Sequence, residues 1–305
     1  MDEYPTPDFD TVFDGEEGLT VWLAAVALLI AVVGLVGNGL ILWLLGFRIR
    51  KNPISVYVLN LAAAEALFLS SHSILCVGDA FDIFEHSPSW LGVNSITDLA
   101  YSVALGLRAA ICTELCLWAL YPCEYPRRRP QHTSGAACGG VWALASLLWG
   151  SQLIFCLGIE GSGLCLVTVV AEKAYLLLLT TLLFVASLAL VLRVRCGVRR
   201  RRRPRLYRLA LLTALVFLLC GLPPEVQHFL ETFGLELLIP SWIPQLLANV
   251  NCSANPFLYF FLDRRFRQGR RGREPLRLVL QRVLEHGMEG EEREASQDTS
   301  WETSF

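Results

Sequence analysis

From Leu19 to Phe47 the chain carries no charged residue. A helix needs about 20 predominantly apolar residues to cross the hydrocarbon core of a bilayer, and this run exceeds that. Six further apolar segments follow, at about 54–79, 92–121, 136–159, 172–192, 206–230 and 237–262. In lipid every backbone polar group must be satisfied internally, which leaves helices or closed barrels. The runs are too long and continuous for barrel strands. The expected fold is therefore all-α: a bundle of seven transmembrane helices over 19–262. Composition agrees. Apolar residues make up 54% of the 305 residues and charged residues only 18%, with a mean hydropathy of +0.47. A soluble domain carries roughly a quarter charged residues. A disordered chain, a collagen-like fibre and a small disulfide scaffold are excluded on these grounds, and a soluble two-domain enzyme is not expected.

The basic residues set an orientation. Arg48, Arg50 and Lys51 follow the first span, and Arg127–Arg129 follow the third. The connection after the fifth includes Arg195 and the run Arg199–Arg203; Arg264 and its neighbours follow the seventh. Of 26 basic residues, only Arg108 and Lys173 fall outside these stretches and the tail. The positive-inside rule then places the N-terminus outside and the C-terminus in the cytoplasm. Residues 1–18 form an acidic extracellular segment that lacks the basic start and short apolar core of a cleaved signal. Residues 263–273, with Phe266, read as a short amphipathic helix on the membrane surface. Residues 274–305 read as an acidic cytoplasmic tail with Ser296, Thr299, Ser300, Thr303 and Ser304 as candidate phosphorylation sites. The ending Thr303-Ser304-Phe305 suits capture by a PDZ domain. The arginine runs also suit anionic inner-leaflet lipids; nucleic acid is a poor partner for a chain held in a membrane. No phosphate loop, catalytic nucleophile motif or metal-spaced cluster occurs, so neither an enzyme nor a cofactor is expected.

Ionisable residues at membrane depth are costly and mark function by default. Glu65, His72 and Asp79 recur every seven residues in the second span and share one face. In the third, Asp98, Tyr101 and Arg108 share a face. Two readings fit Arg108: a buried pair with Glu65, which is the expectation, or a side chain that snorkels toward the inner interface. Asp98 lies about 24 Å up the helix from Glu114. With Asp79 and Tyr101 it forms a negatively biased, outward-open ligand pocket, or it is a solvated residue at the helix top. Gln152, Glu225, His228, Trp242 and Gln245 are further candidates for that cavity. Pro223 and Pro224 after Cys220-Gly221-Leu222, and Pro256 after Asn255, predict kinks in the sixth and seventh spans.

Seven spans, Leu59-Asn60-Leu61-Ala62, Trp142 and Asn255-Pro256-Phe257-Leu258-Tyr259 together resemble a rhodopsin-class G-protein-coupled receptor. Val216-Phe217-Leu218-Leu219-Cys220-Gly221-Leu222-Pro223, Tyr259-Phe260-Phe261 and Leu278-Val279-Leu280-Gln281-Arg282 are similar to the Mas-related receptors within that class. The resemblance covers about residues 20–285. It implies a plasma-membrane receptor for an extracellular peptide or small amphiphile, with a heterotrimeric G protein and arrestin as cytoplasmic partners. It implies a disulfide between Cys156 and Cys165. It makes Gly221, Pro223, Asn255, Pro256 and Tyr259 internal switch residues, and Glu114, Leu115, Arg195 and Arg264 part of the G-protein face. Three departures stand out. Glu65 replaces the helix-two Asp of a sodium-binding cluster, and with Arg108 it suggests an internal cation in place of sodium. Leu115 replaces the Arg that contacts the G protein, so a decoy or arrestin-type scaffold that has lost coupling is the alternative function. Gln152 and Val169 stand where some relatives carry the acidic pair that binds cationic ligands. A transporter is a third, less favoured reading.

Overall fold

The computed structural model describes residues 9–48, 52–81, 83, 88–121, 124–130, 132–157, 163–196, 212–213, 215–232, 240 and 242–264. Every regular element among them is helical, with no strand. The helices are α1 (Phe9–Phe47), α2 (Pro53–Ala80), α3 (Pro88–Leu120), the short α4 (Glu124–Arg128), α5 (Thr133–Gln152), α6 (Leu164–Cys196), α7 (Leu222–Thr232) and α8 (Trp242–Arg264). α5 continues into a π-helical turn, Leu153–Leu157, and a second such turn, Phe217–Gly221, leads into α7. Among the described residues, five helices are long and apolar enough to cross a membrane: Val21–Phe47, Pro53–Ala80, Ser89–Trp118, Thr133–Cys156 and Leu164–Leu192. Of the expected sixth span, residues 206–211 lie outside the described residues, as do 237–239 of the seventh. Residues 265–305, and with them most of the expected surface helix and the whole tail, lie outside as well.

Local chemistry fixes where several helices start. Asn52 caps α2: its Oδ1 accepts from Ser55 N at 2.7 Å, and its own amide donates to Ser55 Oγ at 2.7 Å. Pro53 at the first helical position loses nothing, because that amide has no intrahelical partner. At the other end of the chain, Pro223 and Pro224 would leave carbonyls of the preceding turn without donors. The π turn absorbs this, with Leu222 N donating to Phe217 O.

α3 is the central rod. It packs on α2, α5 and α6, while α1 packs on α2 and α8. Small residues set the closest approaches: a Cβ on Gly37 of α1 would stand 2.8 Å from Pro256 Cβ of α8. The core runs the length of α3. Leu115 joins Ile41, Leu44, Leu45, Ile54, Val58, Ala62 and Leu190 at one end. Leu105, Ala109 and Cys112 meet Leu179, Leu183 and Phe217 further along. The outward faces carry exposed Val21, Trp22, Leu29, Val36, Trp43, Leu166, Val170, Leu178 and Val185. So much exposed apolar surface on regular helices fits a lipid solvent rather than water.

Two boundaries depart from expectation. The fifth span was expected from about residue 172. α6 instead begins at Leu164, eight residues earlier. Glu172 is 2% exposed and sits inside the helix, because partners on two helices satisfy its carboxylate. α1 likewise begins at Phe9, inside the segment expected to be an N-terminal arm.

Candidate functional site

Three polar centres lie along α3, at Asp98, Arg108 and Glu114. The middle one is the most buried. Arg108 is 1% exposed and Glu65 is fully buried. Arg108 Nη2 donates to Glu65 Oε1 at 2.7 Å, so of the two readings the structure adopts the pair and not the snorkelled side chain. The same nitrogen reaches Asn251 O at 3.4 Å and Cys252 Sγ at 3.6 Å. Asn255 Nδ2 donates to the same Glu65 oxygen. Asn38 Nδ2 donates to Cys252 O at 3.2 Å. Four helices thus meet at one buried charge pair. Ionised groups out of water are tolerated only when paired and hydrogen-bonded, and here α1, α2, α3 and α8 each supply a partner.

His72 is one step along the same face of α2. It contacts Cys76 Sγ through Nδ1 at 3.2 Å and Asn249 Nδ2 at 3.5 Å. Phe68 bridges to the next level, with its ring 5.5 Å from His72 and 5.4 Å from Tyr101. Asp79 closes α2 and is exposed.

At the Asp98 end the structure adds residues that the sequence reading did not assign to the site. Asp98 accepts from Asn94 Nδ2 at 3.0 Å and lies within electrostatic range of Glu172 and Lys173. Gln152 Nε2 donates to Glu172 Oε2 at 2.6 Å, and Lys173 Nζ donates to Glu172 Oε1 at 3.1 Å. The structure therefore groups Asp98 and Gln152 through Glu172, two carboxylates with one ammonium. The signal for Glu172 was available: it stands three residues after Val169, one helical turn on and on nearly the same face. Trp149 Nε1 ties α5 to α3 through Ser102 Oγ at 3.2 Å. Trp242 begins α8 and is 38% exposed.

At the other end, Glu114 is 3% exposed and is held by Arg129 of the α4–α5 connection, Nε to Oε1 at 2.5 Å. Arg129 Nη2 donates to Ser134 Oγ at 2.5 Å. Tyr57 of α2 shares the cluster with Glu114, and the Tyr125 ring packs edge-on to Trp118 at 6.4 Å. Burial, and then the Glu114 carboxylate, push the Tyr125 phenol above its usual range. Burial opposes the Arg129 charge, yet Glu114 outweighs it and raises the guanidinium further. Leu115 has no place in this polar centre. It is 2% exposed in the apolar cluster of α1, α2 and α6.

Gly221, in the second π turn, faces Asn251. A Cβ there would stand 2.7 Å from Asn251 Nδ2 and 2.6 Å from the Phe217 ring, so only glycine allows this approach. Pro223 lies just beyond in α7, and Pro256 is inside α8. Cys156 and Cys165 form a disulfide that joins the π turn after α5 to the first turn of α6. The side chains of Tyr259, Glu225, His228, Arg195 and Arg264 lie outside the described residues, as does the run 199–203.

No family model matches the chain. Curated relatives do. The chain is 42% identical over 286 residues to Mas-related G-protein coupled receptor member X2 of Pan troglodytes, covering 90% of this chain and 85% of that protein. It is 41% identical over 270 residues to the Homo sapiens protein of that name, covering 85% and 81%. The Macaca mulatta counterpart is 41% identical over 271 residues, with 85% and 81% covered.

Proposed function

The chain belongs to the Mas-related G-protein-coupled receptors, and from that membership we propose that it is a multi-pass plasma-membrane receptor with the N-terminus outside and the C-terminus inside. It crosses the membrane seven times, with 263–273 on the inner surface and 274–305 as a phosphorylatable tail for arrestin or a PDZ domain. A peptide or small amphiphile enters from outside. Its site is the polar group around Asp98, with Tyr101 and Gln152 and with Asp79 and Trp242 at the rim. Glu172 supplies the carboxylate that Gln152 and Val169 do not.

The observation that carries the reading is the trio of polar centres that α3 brings together with its neighbours: the Asp98 group, the Arg108–Glu65–Asn255 junction and the Glu114–Arg129 pair. A ligand that binds one arrangement of the bundle more tightly than another shifts its population, and the shift is felt where α8 meets Arg108 and the second π turn meets Asn251. Arg108 serves as the resident cation of the junction, where a guanidinium fixed by covalent structure takes the role of a bound sodium ion.

A second reading is favoured by Leu115. An apolar residue sunk in the α1/α2/α6 core offers no cation to a G protein, and Glu114 already has Arg129. On that reading the chain is a ligand-binding scaffold without nucleotide exchange. One measurement separates the two: G-protein dissociation in cells, across all G-protein classes, for the natural chain and for Leu115→Arg at matched surface level. Signal from the natural chain supports the receptor. Signal from Leu115→Arg alone supports the scaffold.

A further inference from the structure

Two helices bring a nitrogen, a sulfur and an amide together near the Asp79 end of α2. His72 and Cys76 stand one turn apart on that helix, with Nδ1 and Sγ separated by 3.2 Å. Asn249 of α8 places its side-chain amide 3.5 Å from the same Nδ1. An amide nitrogen only donates, so Nδ1 carries a lone pair and the ring proton sits on Nε2. The Phe68 ring, 5.5 Å away, packs beside the imidazole.

The packing leaves one of these groups unsatisfied. Asn249 is fully buried, and its Oδ1 has no hydrogen-bond partner. A half-turn of the amide exchanges Nδ2 and Oδ1 and brings that oxygen to His72. One nitrogen, one sulfur and one oxygen then surround a single point. A tetrahedral zinc ion sets its ligands by bonds of about 2.0–2.1 Å to nitrogen and oxygen and about 2.3 Å to sulfur. It therefore needs nitrogen and sulfur about 3.6 Å apart, and nitrogen and oxygen about 3.4 Å apart. The observed separations are 3.2 and 3.5 Å.

Chemistry and charge narrow the guest. A thiolate and an imidazole favour a borderline-soft divalent ion, whereas magnesium and calcium take oxygen ligands. The ion replaces the thiol proton between Sγ and Nδ1, and that proton leaves to water; no electron is transferred. One positive charge remains, which is costly at membrane depth unless compensated. Asp79 lies one turn beyond Cys76 and within electrostatic range of it. Asp79 is exposed and Cys76 is partly exposed, so a bare ion descends from the end of α2 without crossing lipid. We infer that His72, Cys76 and Asn249 form a zinc site that ties α2 to α8. Sequence spacing does not show it, because the third donor comes from another helix. The inference goes beyond the ligand site at Asp98 and does not depend on G-protein coupling.

The test uses the full chain in phosphatidylcholine nanodiscs, stripped of metal, with zinc chloride as the probe and cobalt(II) chloride as its spectroscopic substitute. Zinc should raise the melting temperature, and magnesium should not. Cobalt should give a thiolate charge-transfer band at one equivalent per chain. Cys76→Ala should lose both responses. His72→Gln and Asn249→Leu should each weaken zinc binding about tenfold or more. Zinc should also slow maleimide alkylation of Cys76 about tenfold, read on its peptide by mass spectrometry. Cys220, the other partly exposed free thiol among the described residues, should react at an unchanged rate. The alkylation needs no substitution, so it decides the matter even where a variant fails to fold. Cys76 alkylated equally fast with and without zinc would overturn the inference. So would a cobalt band that survives Cys76→Ala, or zinc affinity that either of the other two substitutions leaves unmoved.

Discussion

Arg108 on α3 and Glu65 on α2 stand 43 residues apart in sequence and 2.7 Å apart in space, both shut off from solvent. Removing one partner strands a charge in the core, whereas removing both leaves only a packing defect. Glu65→Gln or Arg108→Met alone should therefore cost about 3–5 kcal/mol, read as lost thermal stability of the solubilised chain and reduced surface expression. The double variant should recover most of the loss. A double variant no better than either single one would show that the two charges are not coupled.

The same pair predicts indifference to sodium. With a guanidinium already at Glu65, replacing sodium chloride by choline chloride at fixed ionic strength should leave the melting temperature unchanged. Arg108→Leu frees the carboxylate and should make the melting temperature depend on sodium. A natural chain that stabilises with added sodium would contradict the assignment of Arg108 as the resident cation.

Glu114 and Arg129 clamp the α4–α5 connection to α3. Both side chains are largely buried, so their coupling should exceed the fraction of a kcal/mol typical of exposed pairs. A double-mutant cycle with Glu114→Gln and Arg129→Gln should give a coupling of about 1–3 kcal/mol in thermal stability. Additive effects would reduce the clamp to two independent contacts.

Gly221 lies against Asn251 and the Phe217 ring. Gly221→Ala should overpack this contact and cost about 1–3 kcal/mol. Asn251→Gly should relieve only part of it in the Gly221→Ala background, because the Phe217 ring stays in contact. Unchanged stability of Gly221→Ala would mean that the second π turn yields freely.

The Cys156–Cys165 bridge closes a loop with a sequence separation of nine. Its loss should cost about 2–3 kcal/mol. Reductant should lower the melting temperature of the natural chain and leave that of a Cys156→Ala/Cys165→Ala variant unmoved. Equal sensitivity in both would place the effect of reductant elsewhere.

The sequence made the helices legible because their signal is local. Uncharged runs, the Asn52–Ser55 cap and the prolines at 223, 224 and 256 act within a turn or two of where they stand. Glu65 and Arg108 could be matched across helices because each lay in an apolar run with few other candidates at its depth. Glu172 was not singled out, for the converse reason. Its burial is made tolerable by Lys173 beside it together with Gln152, twenty residues away on α5. Arg129 belonged to a run of three arginines, which local pattern cannot tell apart. The geometry of α3, α4 and α5 selects the one that reaches Glu114 and Ser134.

By itself, then, the sequence determined the all-helical class, the apolar lengths that suit a membrane and the receptor family, since each rests on composition and order along the chain. Tertiary structure decided which charges meet. It placed Leu115 in an apolar core, gave Glu114 to Arg129 and drew Glu172 into the Asp98 group. Those outcomes depend on distances between helices, and packing sets such distances through residues, such as Gly37 and Gly221, that carry no charge at all.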